Sequence, residues 1–495
     1  MSKTLLDRLA RVKALQKPSN TVVQNSSSSS QTAMANGFPE SHFEQRPGFS
    51  PCIPEGAERL AELLGAKLVQ NKYGEHLALR KWFSHVANGV KTDCSPLGHG
   101  LADERVDASA LRLLAPNAPE VVADPRQWLF LDTETTGIMG GTGTYPFMVG
   151  IAWWDAGGLE VEQFFMRDHG DEHALLVTLA ERMAERCVLI TFNGKSFDWP
   201  LLETRYRMTR KLRPPTPQAH LDFLHPARNL WRLRIGSVRL WELERHVLGW
   251  NRGPDLVSEL IPETYFDFLR GGPPEPMVPI FLHNQMDLRG LAALSSRIVS
   301  MLAEHGREEK DGFELFGLSR ICERRGETKR ARKNYEQSIA LSELPLESDR
   351  AAKKSLARIA KREGDLSLAR DLWQGMLGHS REGIEAYEQL AIYYERHSGE
   401  AHRAAKVSRD ALSALQQARR LGSIGTGAYQ KLRGRFKRRL ARVERKTANL
   451  PLKSIVAESA AQLWESNRRE ETQGIPCPNR IAPPPELQEP RKWRK

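Results

Sequence analysis

Between residues 128 and 302 the spacing of apolar residues switches between strand and helix in an order that few folds accommodate. Residues 128–131, Trp-Leu-Phe-Leu, form a short apolar strand running into Asp132. Residues 147–154 and 161–166 read as two more strands, separated by a turn at 155–158. Residues 174–184 carry the 3.6-residue apolar period of a helix. A buried-type strand over 187–192 follows, then Asn193-Gly194 and a second helix from near Phe197. Helical spacing returns over 240–248 and 283–302. Three strands, helix, strand, helix predicts an α/β domain over 126–304, a mixed sheet flanked by helices.

The acidic residues of this domain fall at the ends of those elements. Asp132 and Glu134 stand two apart where the first apolar strand ends, so alternation puts both carboxylates on one face. Asp198 comes directly after the fourth strand, in Asn193-Gly-Lys-Ser-Phe-Asp198. Asp287 lies four residues after His283, so on a helix the two side chains share a face that Leu291 and Leu294 continue. Four carboxylates suit Mg²⁺ or Mn²⁺ rather than zinc. Thr135, Thr136 and Gly137, the loop from Gly140 to Thr144, Asn193 and Lys195 are candidates for contact with a phosphate or a terminal nucleotide. His220, Asp222 and His225 form a second polar cluster, read either as structural support at a strand edge or as metal ligands. Arg228, Arg232 and Arg234 follow it as candidates to line a nucleic-acid channel.

DTETTG, NGKSFD and HNQMD resemble the three motifs of the DEDD superfamily of 3′–5′ exonucleases. More narrowly, residues 128–302 resemble the YprB-like ribonuclease-H-like family. The marks are the GGTGT loop, the His220-to-Ala227 stretch, the Trp241-x-Leu-Glu-x4-Leu-Gly segment and the HNxxD ending. The resemblance implies a ribonuclease-H-like fold and metal-assisted phosphodiester hydrolysis, with two divalent ions held by Asp132, Glu134, Asp198 and Asp287. It also implies that His283 orients or deprotonates water. One departure stands out: the histidine branch of the superfamily spaces His and Asp one residue further apart, and the i, i+4 spacing belongs to the tyrosine branch. A competing class is a nucleic-acid-binding or scaffold protein whose nuclease fold is idle.

From Phe313 onward the pattern is helical only. Gly326, Gly364 and Gly399 recur at intervals of 38 and 35 residues, each followed five residues later by Ala331, Ala369 or Ala404. Tyr335, Trp373 and Ser408 follow at nine. This predicts tetratricopeptide-like helical hairpins over 311–418, a surface for a protein partner; an ordinary helical bundle is the alternative. Residues 419–495 read as a basic helix, from Lys431 to Lys446, and a Pro-rich disordered tail. The basic helix is either a solvated face or a phosphate-contacting arm. At the other end, Leu5, Leu6, Leu9, Val12 and Leu15 suggest a short amphipathic helix, for docking or lying at a frayed end rather than anchoring in a membrane. A linker with serines at 26–30 completes a segment of 1–56, and 57–125 reads as a small extension with a helix over 57–64 and a hairpin over 65–83.

The whole chain of 495 residues carries a net charge of +12, which favours a polyanionic partner, DNA or RNA. No run approaches the roughly 20 apolar residues of a membrane helix, and no secretory leader is expected. Five scattered cysteines without a CxxC pair argue against zinc and disulfides and fit a reducing cytoplasm.

Overall fold

The computed structural model describes residues 56–84, 86–87, 90–91, 105–137, 142–155, 157–209, 212–252, 256, 258–304 and 310–448. The chain divides into Met1–Ser50 and Pro51–Lys495, and all described residues belong to the second unit. The leading amphipathic helix, the serine linker, Gly140 and Gly141 of the glycine loop, and the Pro-rich tail lie outside the described residues.

Helix α1 (Gly56–Leu64) leads into the hairpin β1 (Lys67–Asn71) and β2 (Gly74–Ser84), over the span that reads as a hairpin in the sequence. The Asn71 side chain accepts the Tyr73 N–H at 2.9 Å and so shapes that turn. After α2 (Ala108–Leu114) come β3 (Trp128–Thr135), β4 (Pro146–Asp155) and β5 (Gly158–Phe165), a three-stranded antiparallel meander. Then follow α3 (Glu172–Glu185), β6 (Val188–Thr191), α4 (Asp198–Met208), β7 (Ala219–Asp222) and α5 (Leu224–Ile235). A short α6 (Leu240–Leu243) runs into a π-turn at Glu244–Leu248, and α7 (Ile261–Leu269) and the long α8 (Val278–Leu302) complete the domain.

The seven strands form one sheet in the order β1-β2-β5-β4-β3-β6-β7. β6 and β7 add to β3 in parallel, so the sheet is mixed. The hairpin read as part of a separate extension enlarges the sheet instead: β2 pairs antiparallel with β5 from Leu77↔Phe165 to Ser84↔Gly158. Strand β7 was not foreseen, because Ala219-His-Leu-Asp222 is too short and too polar to show alternation.

Both faces of the sheet are covered, which is why β4 is apolar and buried from Phe147 through Trp154 without alternating. Trp128 and Phe130 of β3 pack with Leu288, Leu291 and Leu294 of α8. Leu129 and Leu131 point the other way, towards Leu175 and Leu179 of α3 and Leu202 and Tyr206 of α4. α8 begins earlier than its apolar spacing indicates, at Val278, because Pro279 is tolerated in a first turn.

Beyond residue 310 the described chain is helical: α9 (Gly312–Arg324) and α10 (Thr328–Leu341), α11 (Leu346–Glu363) and α12 (Leu366–Gly375), α13 (Arg381–Arg396) and α14 (Ala401–Arg420), then α15 (Thr426–Ala448). Gly326, Gly364 and Gly399 close the three hairpin turns with φ of 78°, 85° and 73°, a conformation that disfavours side chains. Ala331, Ala369 and Ala404 are wholly buried, and Tyr335, Trp373 and Ser408 are buried beside them. The first hairpin shares the core of the sheet domain, where Phe316, Leu318 and Tyr335 join Trp231 and Leu302. Trp231 Nε1 donates to Glu314 Oε1 at 2.8 Å across that junction. α15 packs through Phe436 and Val443, and its Arg435, Arg439 and Arg442 pair with Glu388 and Glu395 of α13. No helix among the described residues is long and apolar enough to cross a membrane.

Candidate active site

The carboxylates approach one another where β3 runs out. Alternation along β3 sends Trp128, Phe130, Asp132 and Glu134 to the α8 face and Thr133 to the α4 face. Asp132 pairs with Gly150 of β4. A Cβ on Gly150 would lie 2.0 Å from Asn284 Oδ1 and 2.8 Å from Leu288 Cδ1, so the bare backbone lets α8 settle onto the sheet. Asn284 Nδ2 then donates to Asp132 Oδ2 at 2.8 Å. Asn284 Oδ1 accepts from Gln163 Nε2 of β5 at 2.8 Å, and Gln163 Oε1 accepts from Gln285 Nε2 at 2.7 Å. All three amides are buried, so this chain fixes the orientation of the Asp132 carboxyl from within the core.

Asp198 arrives from the opposite face. It opens α4, and its Oδ1 accepts the Thr133 hydroxyl at 2.5 Å, so the strand that carries Asp132 also holds Asp198. The turn that delivers it is organised by Asp222, the last residue of β7. Asp222 Oδ1 accepts the N–H of Asn193 at 2.9 Å and of Leu224 at 3.0 Å, and its Oδ2 accepts the N–H of Lys195 at 3.1 Å. Asn193 takes a left-handed φ of 71° within this turn. Of the two readings of the His220, Asp222 and His225 cluster, the contacts match structural support. His220 Nε2 bonds the Thr191 hydroxyl at 2.9 Å, and burial, then the Lys195 charge, push its imidazole down to about 4. His225 is exposed.

On α8, His283 and Asp287 share a face as their spacing requires, with Nε2 3.5 Å from Asp287 Oδ2. Asp287 has a second partner that sequence reasoning missed: Arg252 Nη2 lies 2.6 Å from its Oδ1. The same guanidinium pairs with Glu244, which is wholly buried in the π-turn after α6. A Cβ on Gly290 would lie 1.6 Å from Glu244 Oε1, so this glycine makes room for the buried pair. Arg252 carries no periodic signal and lies in an irregular segment, whereas Glu244 and Asn284 sit inside motifs already singled out. π-turns are frequent at functional sites, the one general signal that could have drawn attention to Glu244.

The electrostatics record the crowding of these groups. Burial, then the charges of Asp287, Asp198 and Glu134, push the Asp132 carboxyl well above the usual carboxylate range. Burial also raises Asp198, against the lowering effect of the Thr133 hydroxyl. Among the described residues no three His, Cys, Asp or Glu side chains stand as a ready-made metal cage. The carboxylates are instead spread over Asn284, Thr133 and Arg252. The chemistry of the donor set, four carboxylates and so all oxygen, is that of a hard divalent cation's ligands. Nucleases with a ribonuclease-H-like fold generally use divalent metals.

The residues expected to meet substrate are differently placed. Thr135 Oγ1 donates to Gly137 O at 2.9 Å, and Thr136 Oγ1 accepts the Tyr145 N–H at 2.9 Å, so both hydroxyls brace the loop. Thr144 is buried, whereas Lys195 is exposed at the Asp198 turn. Arg234 is tied to Asp311 and Glu314 of the first helical hairpin, while Arg228 and Arg232 are exposed.

A model of the RNase_H superfamily matches residues 129–299, the span from β3 to the end of α8. The chain is 30% identical over 287 residues to YprB of Bacillus subtilis (strain 168), an uncharacterised protein, covering 57% of this chain and 68% of that one. Among solved structures, a family B DNA polymerase from the archaeon Pyrobaculum calidifontis superposes with a TM-score of 0.29 at 16% identity, over 40% of this chain and 29% of the polymerase. BtubC from P. vanneervenii superposes with a TM-score of 0.22 at 20% identity, over 46% of this chain and 90% of that one. The sheet, the matched span and the kinship with YprB agree, and the chain belongs to the YprB-like family of RNase_H-superfamily proteins.

Proposed function

We propose that the protein is a metal-dependent nuclease that removes nucleotides from the 3′ end of DNA or RNA. The observation that carries this reading is the meeting at the end of β3 of Asp132, held by Asn284 of α8, and Asp198, held by Thr133, with the His283–Asp287 pair on the same α8. Such an arrangement costs stability and suits a site that receives cations. Asp132, Glu134, Asp198 and Asp287 would hold two Mg²⁺ or Mn²⁺ ions. Bound there, the ions supply Lewis acidity to the phosphoryl oxygen and lower the pKa of water.

The chain's own residues do the rest. Asn284 and Thr133 fix the rotamers of Asp132 and Asp198, so neither carboxylate has to be ordered when substrate arrives. Arg252, anchored by buried Glu244, does the same for Asp287. His283 Nε2 is the nearby base: the water oxygen bonds to phosphorus, its proton goes to His283, and the bond from phosphorus to the 3′ oxygen breaks. That 3′ oxygen takes a proton from solvent. Lys195, exposed on the Asp198 turn, is the group best placed to meet the phosphate, with Thr135, Thr136, Gly137, Thr144 and Asn193 as further candidates.

Purified full-length protein incubated with 3′- or 5′-labelled single- and double-stranded DNA and RNA tests the reading. Mn²⁺ should yield products shortened from the 3′ end, and EDTA should suppress them. Asp132→Asn should lower the rate by roughly a thousandfold or more. His283→Ala should lower turnover about a hundredfold while Mn²⁺ binding persists. Metal-dependent products that survive Asp132→Asn would mark a contaminant. Retained binding with no product from any substrate would favour a non-catalytic binding protein.

A further inference from the structure

The Asp198 turn faces more than the carboxylates. On its other side lies a cavity of about 690 Å³, walled by Lys195 of the turn, His220, Asp222 and His225 around the edge strand β7, and Arg324 and Arg325 at the end of α9. Its walls therefore come from the nuclease-like domain, from the first helical hairpin and from residues 113–119 at the end of α2. Asp222 joins the cavity to the site, because it lines one and its charge acts on Asp198 in the other.

The cations of the helical region divide into those with a carboxylate partner and those without. Arg332 pairs with Glu336, Glu363 and Asp365, Arg358 pairs with Glu323, and Arg439 and Arg442 pair with Glu395. Arg320, Arg324 and Arg325 have no carboxylate partner among the described residues. Arg325 donates to the carbonyls of Leu113 and Leu114, Arg324 to the Arg320 carbonyl and the Asn229 amide oxygen, and Arg320 lies over the Phe316 ring. Burial, then the charges of Arg320 and Arg325, hold the Arg324 guanidinium below its ordinary value. The one carboxylate in the cavity, Asp222, is committed to three backbone N–H groups. Lys195, Arg324 and Arg325 thus share one concave surface with a single carboxylate, so its charged lining is net positive. The Asp198 turn also leaves Phe197 56% exposed, an aromatic face beside the site.

We propose that this junction cavity holds the sugar–phosphate backbone of the single strand whose end lies at the carboxylates, with Lys195, Arg324 and Arg325 on phosphates, Arg320 adding its charge, and Phe197 under a base. The first helical hairpin is then part of the substrate surface. The proposal rests on the nuclease reading and adds to it the path of the strand. The cavity has the size of a small-ligand site, so it takes a single strand and not a duplex. Phosphate contacts with a stacking aromatic are the general mode of sequence-independent single-strand binding.

The test uses the full chain carrying Asp132→Asn and a fluorescein-labelled single strand of about 20 nucleotides, titrated over a range of salt. Adding Arg320→Ala and Arg324→Ala should weaken binding about tenfold or more and reduce the slope of log affinity against log salt by about 1 to 1.5. Arg320→Lys with Arg324→Lys should keep the slope. Phe197→Ala should weaken binding about tenfold at an unchanged slope, since stacking releases no counterions. The unfolding midpoint of each variant checks that it is folded. Wild-type affinity and slope in the double alanine variant would overturn the proposal. Hydrolysis of bis(p-nitrophenyl) phosphate by the wild-type chain, abolished by Asp132→Asn, bears on the nuclease reading alone and separates the two failures.

Discussion

Asp132 and Glu395 are both half-buried residues, and their surroundings move the two carboxyls in opposite directions. Asp132 is pushed well above the usual range by burial and by three other carboxylates. Glu395, whose side chain is 3% exposed, is held below its ordinary value, mainly by its bonds to Arg442 and then by the charges of Arg442, Arg439 and Lys446. In the helical region, opposite charges meet and hold α13 against α15. At the end of β3, like charges are forced together by the packing of α8 and α4 around one strand. Cohesion explains the first arrangement, while the second destabilises the chain alone and is the one that the proposed cations would relieve.

The largest effect should come from breaking the packing that forces the like charges together. A Cβ at position 290 would meet Glu244 Oε1 at 1.6 Å, and Glu244 has no space to retreat, being wholly buried and paired with Arg252. Gly290→Ala should therefore cost roughly 3 kcal/mol in urea denaturation, through overpacking and the disturbed ion pair. Mn²⁺ affinity should fall with it, because Arg252 would no longer steady Asp287. Unchanged stability and unchanged Mn²⁺ binding would mean that the Glu244–Arg252 pair does not support the site.

How much of this was legible follows the range of each signal. The strand ending in Asp132 and Glu134 was readable because its apolar run and its alternation are local. His283 and Asp287 were readable for the same reason, from i, i+4 spacing on one helix. The glycine turns of the helical region were readable from their recurrence. What escaped depends on partners distant in the chain. Asn284 matters because Gly150 lies opposite it, Thr133 because α4 begins beside it, and Arg252 because α8 passes close to an irregular segment. Strand β7 escaped because four residues, two of them polar, carry no period. Asp222 was noticed, but its work on the backbone of the Asp198 turn cannot be inferred from spacing.

A smaller effect is expected at the other pole of the comparison. Glu395→Gln would take from Arg439, 13% exposed, the charge of its ion-pair partner and weaken the seat of α15. The expected loss is about 2 kcal/mol, read from the unfolding of the helical region. Its pH dependence has a definite sign. A carboxyl held below its ordinary value of 4.5 stabilises the fold above that pH, and the contribution fades as pH falls further. Wild type and Glu395→Gln should therefore differ at pH 7 and converge in acid. A constant difference across that range would show that Glu395 acts through packing alone.

The smallest effect should have the opposite sign. A carboxyl raised in the folded state prefers to be neutral there, so its charge costs stability at every pH above its unfolded value. Asparagine at position 132 removes that charge and keeps an oxygen for the Asn284 Nδ2 bond, now 2.8 Å long. In EDTA at pH 7, Asp132→Asn should therefore be more stable than wild type by about 1 kcal/mol, a few degrees in unfolding midpoint. Adding Mn²⁺ should reverse the ranking, because only the wild type keeps all four carboxylates and gains stability from binding by mass action. A variant less stable than wild type without metal would mean that the Asn284 bond needs the anion and outweighs the repulsion of Asp287, Asp198 and Glu134. The contrast between Asp132 and Glu395 would then be one of degree, with both carboxylates held by their partners, and the cation would no longer be required to explain why four acids crowd the end of one strand.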